Sequence, residues 1–341
     1  MIKANSKQNN SINIGIELLR ALLCLYVICF HCSFIQRKHL KYFELCLHVP
    51  TFFLISFYFY YTILKNKRAI KITSRFQRLL FPYVSWSIII FILDNILTRF
   101  TSLKQVKRKL SLKDLYLQIL IGFRYYRVFW FQFSLMIISL FFTIISFLFK
   151  DKLLTFIEFF GIISLYLIFS QINGNLFSSY SYMIQGSIGR LNESIPLAVI
   201  GCIYGSLNLL LLSRNITIYQ QLILFLIFCL LVKFELFVKH SGFLYSNSLL
   251  FLLGSSILFI LFGSLKFDKF GIFKEIIKNM TKYTGGIYYT HDIFPKYLYF
   301  YLKLKKIPGY LSSIIIYIIC YLFCFVANKL IKNNKFKYLF M

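Results

Sequence analysis

Apolar residues along this chain fall in long unbroken runs, separated by short polar and basic segments. The runs recur at roughly twenty residues, the length an α-helix needs to cross the hydrocarbon core of a bilayer. Ten crossings are predicted, over residues 12–34, 44–64, 79–97, 128–150, 153–169, 195–212, 216–234, 244–262, 286–302 and 310–327.

The polar segments orient them. Lys65, Lys67, Arg68, Lys71, Arg75 and Arg78 form a basic stretch without an acid, which the positive-inside bias assigns to a cytoplasmic loop. Residues 1–11 are polar and basic, and two crossings separate them from that stretch, so the amino terminus is expected in the cytoplasm. Residues 266–282 and 329–337 are also basic and fall inside in the same count. The polar stretch 170–193 falls outside. Pro82 is expected at the start of the third crossing, where a proline costs little. Residues 99–127 mix Lys104, Lys107, Arg108, Lys109, Lys113, Arg124 and Arg127 with apolar residues on the nominal outer side. They read either as a surface amphipathic helix or as the lining of an anion-binding cavity. The fold expected is an all-α polytopic membrane protein of about ten transmembrane helices with both termini cytoplasmic. It is a single domain over 1–341, with a short basic tail over 328–341 and no cleavable leader.

Composition supports this reading. The chain is 59% hydrophobic and 20% aromatic, more apolar surface than a soluble domain of this size needs. Its net charge of +28 would by itself suggest nucleic acid. The positives sit between apolar runs, however, and are better matched to anionic lipid headgroups. Membrane lipids, and no nucleic acid, are the expected contacts. The eight cysteines lie in or beside apolar runs. Cys29 and Cys32 flank His31, but on a helix His31 points about 160° away from Cys29, so no metal is expected.

The first run carries the chemistry. An acid, an arginine and a histidine interrupt it at Glu17, Arg20 and His31. Charge in hydrocarbon is costly and is usually kept for function. Arg20 and His31 are eleven positions apart, on one helix face and about 16 Å apart along the axis. Glu17 stands one turn before Arg20 on the same side. His31 suits a general base that takes a proton from a hydroxyl. Arg20 needs a counter-anion, either Glu17 or a ligand phosphate or carboxylate. His291 follows a Gly285-Gly286-Ile-Tyr-Tyr-Thr segment and precedes Asp292, and His48 leads into the second run. Each is read equally well as structural or functional.

The chain resembles the membrane-bound acyltransferase-3 family, integral-membrane O-acyltransferases of glycans. The likeness lies in Glu17-Leu-Leu-Arg20 with His31, in Pro50-Thr-Phe-Phe-Leu-Ile-Ser56, and in Arg75-Phe-Gln-Arg78-Leu-Leu-Phe-Pro82-Tyr83 with Trp86. It continues in Trp130-Phe131 and Gly286-Ile-Tyr288-Tyr-Thr-His291. The family's second block usually ends in serine-glycine, whereas Phe57 follows Ser56 here. The resemblance implies a cytoplasmic acyl-CoA donor, usually acetyl-CoA, and transfer to a hydroxyl of an extracytoplasmic or lipid-linked glycan. It implies His31 as base and Arg20 as the donor-positioning residue, in a bacterial inner membrane, with no metal. Glu17 and His291 complete the candidate catalytic set; Arg75, Arg78, Arg68 and Tyr83 are the candidate donor-binding residues. The rival readings are a carrier or flippase for a glycan or small anion, and a non-catalytic scaffold.

Overall fold

The computed structural model describes residues 13–32, 49–66, 69–100, 110–122, 129–149, 152–173, 182–240, 247–267, 271–291, 293, 309–331, 334–337 and 339–340. Among them all regular structure is helical: α1 (Ile14–Cys32), α2 (Val49–Lys65), α3 (Ala69–Phe100), α4 (Leu112–Ile121), α5 (Trp130–Leu148), α6 (Leu153–Asn173) and α7 (Tyr182–Ser206). There follow α8 (Leu209–Ser213), α9 (Ile218–His240), α10 (Asn247–Ser264), α11 (Gly271–Lys282), α12 (Thr284–Thr290), α13 (Gly309–Leu330) and α14 (Asn334–Lys337).

Three of the described helices are long and apolar enough to cross a membrane, over Ala69–Ile96, Trp130–Leu148 and Leu311–Leu330, against the ten crossings the sequence predicts. Five further apolar helices contribute shorter stretches of 10–17 residues, among them Val49–Lys65 and Ile218–Phe234. The chain is a helix-rich, multi-pass membrane protein.

Several boundaries differ from those read off the apolar runs. The basic stretch before residue 79 is not a loop: α3 begins at Ala69 and carries Arg75 and Arg78 on its first turns. Lys, Arg, Gln and Leu are good helix formers, so charge alone does not end a helix. Pro82 therefore lies inside α3 and removes the helical donor for the Arg78 carbonyl. Membrane helices tolerate this where neighbouring side chains reach the backbone; the Gln132 amide of α5 donates to the adjacent Leu79 carbonyl at 3.3 Å. The polar stretch expected as an outer loop is helical from Tyr182 onward. The run after it breaks at Asn208, which turns the chain at φ 50° before α8. Within 99–127, α4 is a short helix closed by a capping box between Ser111 and Asp114.

Lipid tails are as apolar as leucine, so association between such helices rests on close packing. α2 and α7 show it. Gly201 and Gly205 stand four apart on α7, and a Cβ on either would lie 2.5 Å from the Leu54 carbonyl oxygen and 2.8 Å from the Tyr58 carbonyl oxygen respectively. Ten residues of α2 are buried, including Phe53, Phe57 and Tyr60. Gly201→Val should therefore push the two backbones apart and lower stability by about 1–3 kcal/mol. Thermal unfolding of the detergent-solubilised protein checks this, with an unchanged midpoint the contrary result.

Candidate functional site

The start of α1 is locked in place. Asn13 caps the helix through its side-chain oxygen, which accepts from Ile16 N–H at 3.1 Å, while its amide donates to the Gly263 carbonyl at 3.0 Å. A Cβ on Gly15 would collide with the Phe262 carbonyl oxygen at the end of α10. Two turns into the helix, Arg20 Nη1 donates to both carboxylate oxygens of Glu17 at 3.0 Å. Its Nη2 donates to Thr284 Oγ1 at 3.2 Å. Thr284 Oγ1 in turn donates to the Thr281 carbonyl at 3.0 Å. One guanidinium thus ties α1 to the junction of α11 and α12, using the fork that a lysine lacks.

Arg75 is held differently. Its Nη2 donates to Ser56 Oγ on α2 at 2.8 Å, and Nε and Nη2 both reach Ser139 Oγ on α5 at 3.2 Å. The guanidinium lies 4.2 Å from the Tyr60 ring centroid and 5.5 Å from that of Phe57. Tyr60 is anchored by Thr143 and by the Ser139 carbonyl. Among the described residues no carboxylate pairs with Arg75. Among the described residues its charge is met by hydroxyl dipoles and π faces.

Both arginines line one cavity of about 450 Å³, bounded by α1, α2, α3, α5, α11 and α12. Arg78 and Lys282 also line it, and among the described residues no Asp or Glu does. Ser56, Gln132, Thr281, Thr284 and Tyr288 supply polar groups, while Phe52, Phe131 and Leu135 supply apolar wall. Four of the described lining residues are thus cationic, and guanidinium and ammonium groups in such a wall suit an anionic ligand. Its volume falls within the range of small-molecule sites.

The candidate residues are placed as follows. Arg20, Arg75 and Arg78 come together, with Glu17 joined through Arg20. His31 lies on α1, eleven positions beyond Arg20 in one uninterrupted helix; its side chain falls outside the described residues, as do Arg68 and His48. His291 is fully buried just past α12 and does not line the cavity. Its Nδ1 sits 2.6 Å from the Tyr288 carbonyl, which can only accept, so the neutral ring carries its proton on Nδ1. Tyr83 also lies off the cavity wall. Its hydroxyl donates to the Gln118 and Ile119 carbonyls at 2.6 and 2.9 Å, which fastens α4 to α3. Of the cations in 99–127, Lys113 is exposed and takes no part in the cavity.

Sequence reasoning missed Lys282, Thr284, Ser139 and Gln132. A signal for two of them was present: Gln132 and Ser139 interrupt the fourth apolar run, where polar groups need partners.

A helical membrane protein with a cationic chamber beside the helix that carries Glu17 and Arg20 is the class the fold defines. Residues 13–329 match the acyltransferase-3 family, described as an acyltransferase domain, and the chain belongs to that family. No curated protein and no solved structure matches it significantly.

The Arg20 fork should be cooperative. Arg20→Lys and Thr284→Val should each lower thermal stability, and a double-mutant cycle should show a coupling of about 1 kcal/mol. Additive losses would mean that the two side chains do not interact.

Proposed function

We propose that this protein transfers an acyl group, acetyl as the first choice, from cytoplasmic acyl-CoA to a hydroxyl of an extracytoplasmic or lipid-linked glycan. The observation that carries the reading is the cavity: Arg20, Arg75, Arg78 and Lys282 line one chamber that has no acid among its described lining residues, in a chain of the acyltransferase-3 family. Phosphates of the donor suit such a chamber, because guanidinium groups bind phosphate oxygens in charge-assisted pairs. Arg20, held by Glu17 and Thr284, positions the donor. Its thioester arm extends along α1 toward His31, about 16 Å farther along the helix.

There His31 acts as general base. It takes the proton of the acceptor hydroxyl as the oxygen attacks the thioester carbonyl. The tetrahedral intermediate collapses with cleavage of the carbon–sulfur bond, and the thiolate of CoA leaves with the proton held by His31. The ester stays on the acceptor, and His31 returns to its neutral form. His291 supports the wall from behind Tyr288 in this account. The chain works as one domain, in a bacterial inner membrane, with ten crossings, both termini cytoplasmic and residues 328–341 on the cytoplasmic side.

Two measurements check this. Membranes carrying the wild type should move radiolabel from acetyl-CoA into extracted glycan, and membranes carrying folded His31→Ala should not. Equal labelling by both would remove His31 as the base. CoA affinity of the purified protein should fall roughly tenfold in Arg75→Gln, the loss of one charged contact. Lys113→Gln, on the exposed face of α4, should bind CoA as the wild type does. An unchanged affinity in Arg75→Gln would place the donor elsewhere.

A further inference from the structure

The family match ends at residue 329, yet the chain beyond it packs against α3 and α12, two helices that bound the cavity. Phe336 on α14 meets Phe81 of α3 edge-on, with centroids 5.5 Å apart. Leu339 and Phe340 are then buried, at 7% and 8% exposure. The Trp86 indole N–H donates to the Leu339 carbonyl at 3.1 Å. The Phe340 ring packs edge-on against Trp86 at 5.9 Å and against Phe323 of α13 at 5.7 Å.

The docking point on α12 is Gly286. A Cβ there would lie 2.7 Å from the Phe340 carbonyl oxygen and 2.8 Å from Cys324 Sγ. A side chain at 286 would force the Phe340 backbone and Cys324 to shift. Trp86 in turn stacks on Tyr289, with centroids 6.3 Å apart and planes within 10°. Tyr289, Tyr288 and Gly285 all line the cavity.

α12 is only seven residues long. A helix that short has little stability of its own and takes its position from its neighbours. Phe340 against Gly286, and Trp86 against Tyr289, grip it from the side opposite Arg20 and Thr284.

We propose that Leu339 and Phe340 are positioning residues for the donor cavity, clamping α12 through Gly286 and through the Trp86–Tyr289 stack. The proposal builds on the reading of that cavity as the acyl-CoA site. It assigns a role in donor affinity, not in the chemical step, to a segment outside the family-matched residues.

Trp86 and Trp130 are the two tryptophans of the chain, so a Trp130→Phe background makes Trp86 a private reporter of docking. In that background Phe340→Ala should shift Trp86 emission to longer wavelength and raise the acyl-CoA KM roughly fivefold, with kcat held within about twofold. Phe340→Leu should restore most of both. If Phe340→Ala does not fold, Trp86→Phe in the natural chain decides: it keeps a ring but lacks the N–H to Leu339, and should raise KM in the same direction. An emission shift with unchanged KM would make the segment mere packing and overturn the proposal. A fall in kcat at constant KM would also overturn it. A wild type that neither binds CoA nor turns over acyl-CoA overturns it together with the activity on which it builds, whereas a competent wild type with insensitive variants overturns the positioning role alone.

Discussion

A guanidinium between apolar helices cannot shed its proton, so its surroundings must solvate it. Arg75 imposes that demand at the centre of this bundle. Ser56 from α2, Ser139 from α5 and the face of Tyr60 meet it together. These groups come from two helices, α2 and α5, which must hold a fixed register with α3 for the contacts to exist. Tyr60 is itself tied to the Ser139 backbone, and α2 is wedged against the glycines of α7. The close packing that holds α2 therefore also holds the hydroxyl and the ring on which Arg75 depends.

Arg20 meets the same demand by another route. It has a carboxylate, Glu17, one turn away, and its Nη2 donates to Thr284 of α12. The contrast bears on chemistry. Arg20 is oriented by an ion pair and a hydroxyl, while Arg75 keeps a positive charge that no carboxylate among the described residues offsets. Together with Arg78 and Lys282 they give the described wall of the chamber a cationic character. A site built this way favours a ligand that brings several negative charges and a neutral arm, which is the make-up of a CoA thioester.

The helical membrane architecture and the Glu17–Arg20 pair were legible in the sequence, because both follow from apolar length and from spacing on a single helix. Arg75 and Arg78 were legible as candidates, and both line the cavity, although they were assigned to a loop. The basic stretch looked like a break, whereas its residues are helix formers and continue into α3. Lys282 and Thr284 were not legible as site residues, since only tertiary contact brings α11 and α12 against α1. Tyr83 went the other way: its motif pointed to the donor, but its hydroxyl is used on the end of α4. Nor does a basic tail announce that Leu339 and Phe340 pack beneath Trp86. That contact requires Gly286 to lack a side chain, and sequence shows the glycine without its neighbour.

The central claim is that the four-cation chamber holds the donor. It is tested most directly by photolabelling the purified protein with a CoA analogue that carries a photoreactive acyl group, followed by mapping of the modified peptides. The account predicts labelling within α1 beyond Arg20, suppressed by excess CoA and lost in Arg75→Gln. Labelling confined to helices that do not bound the chamber, or labelling that excess CoA fails to suppress, would contradict it.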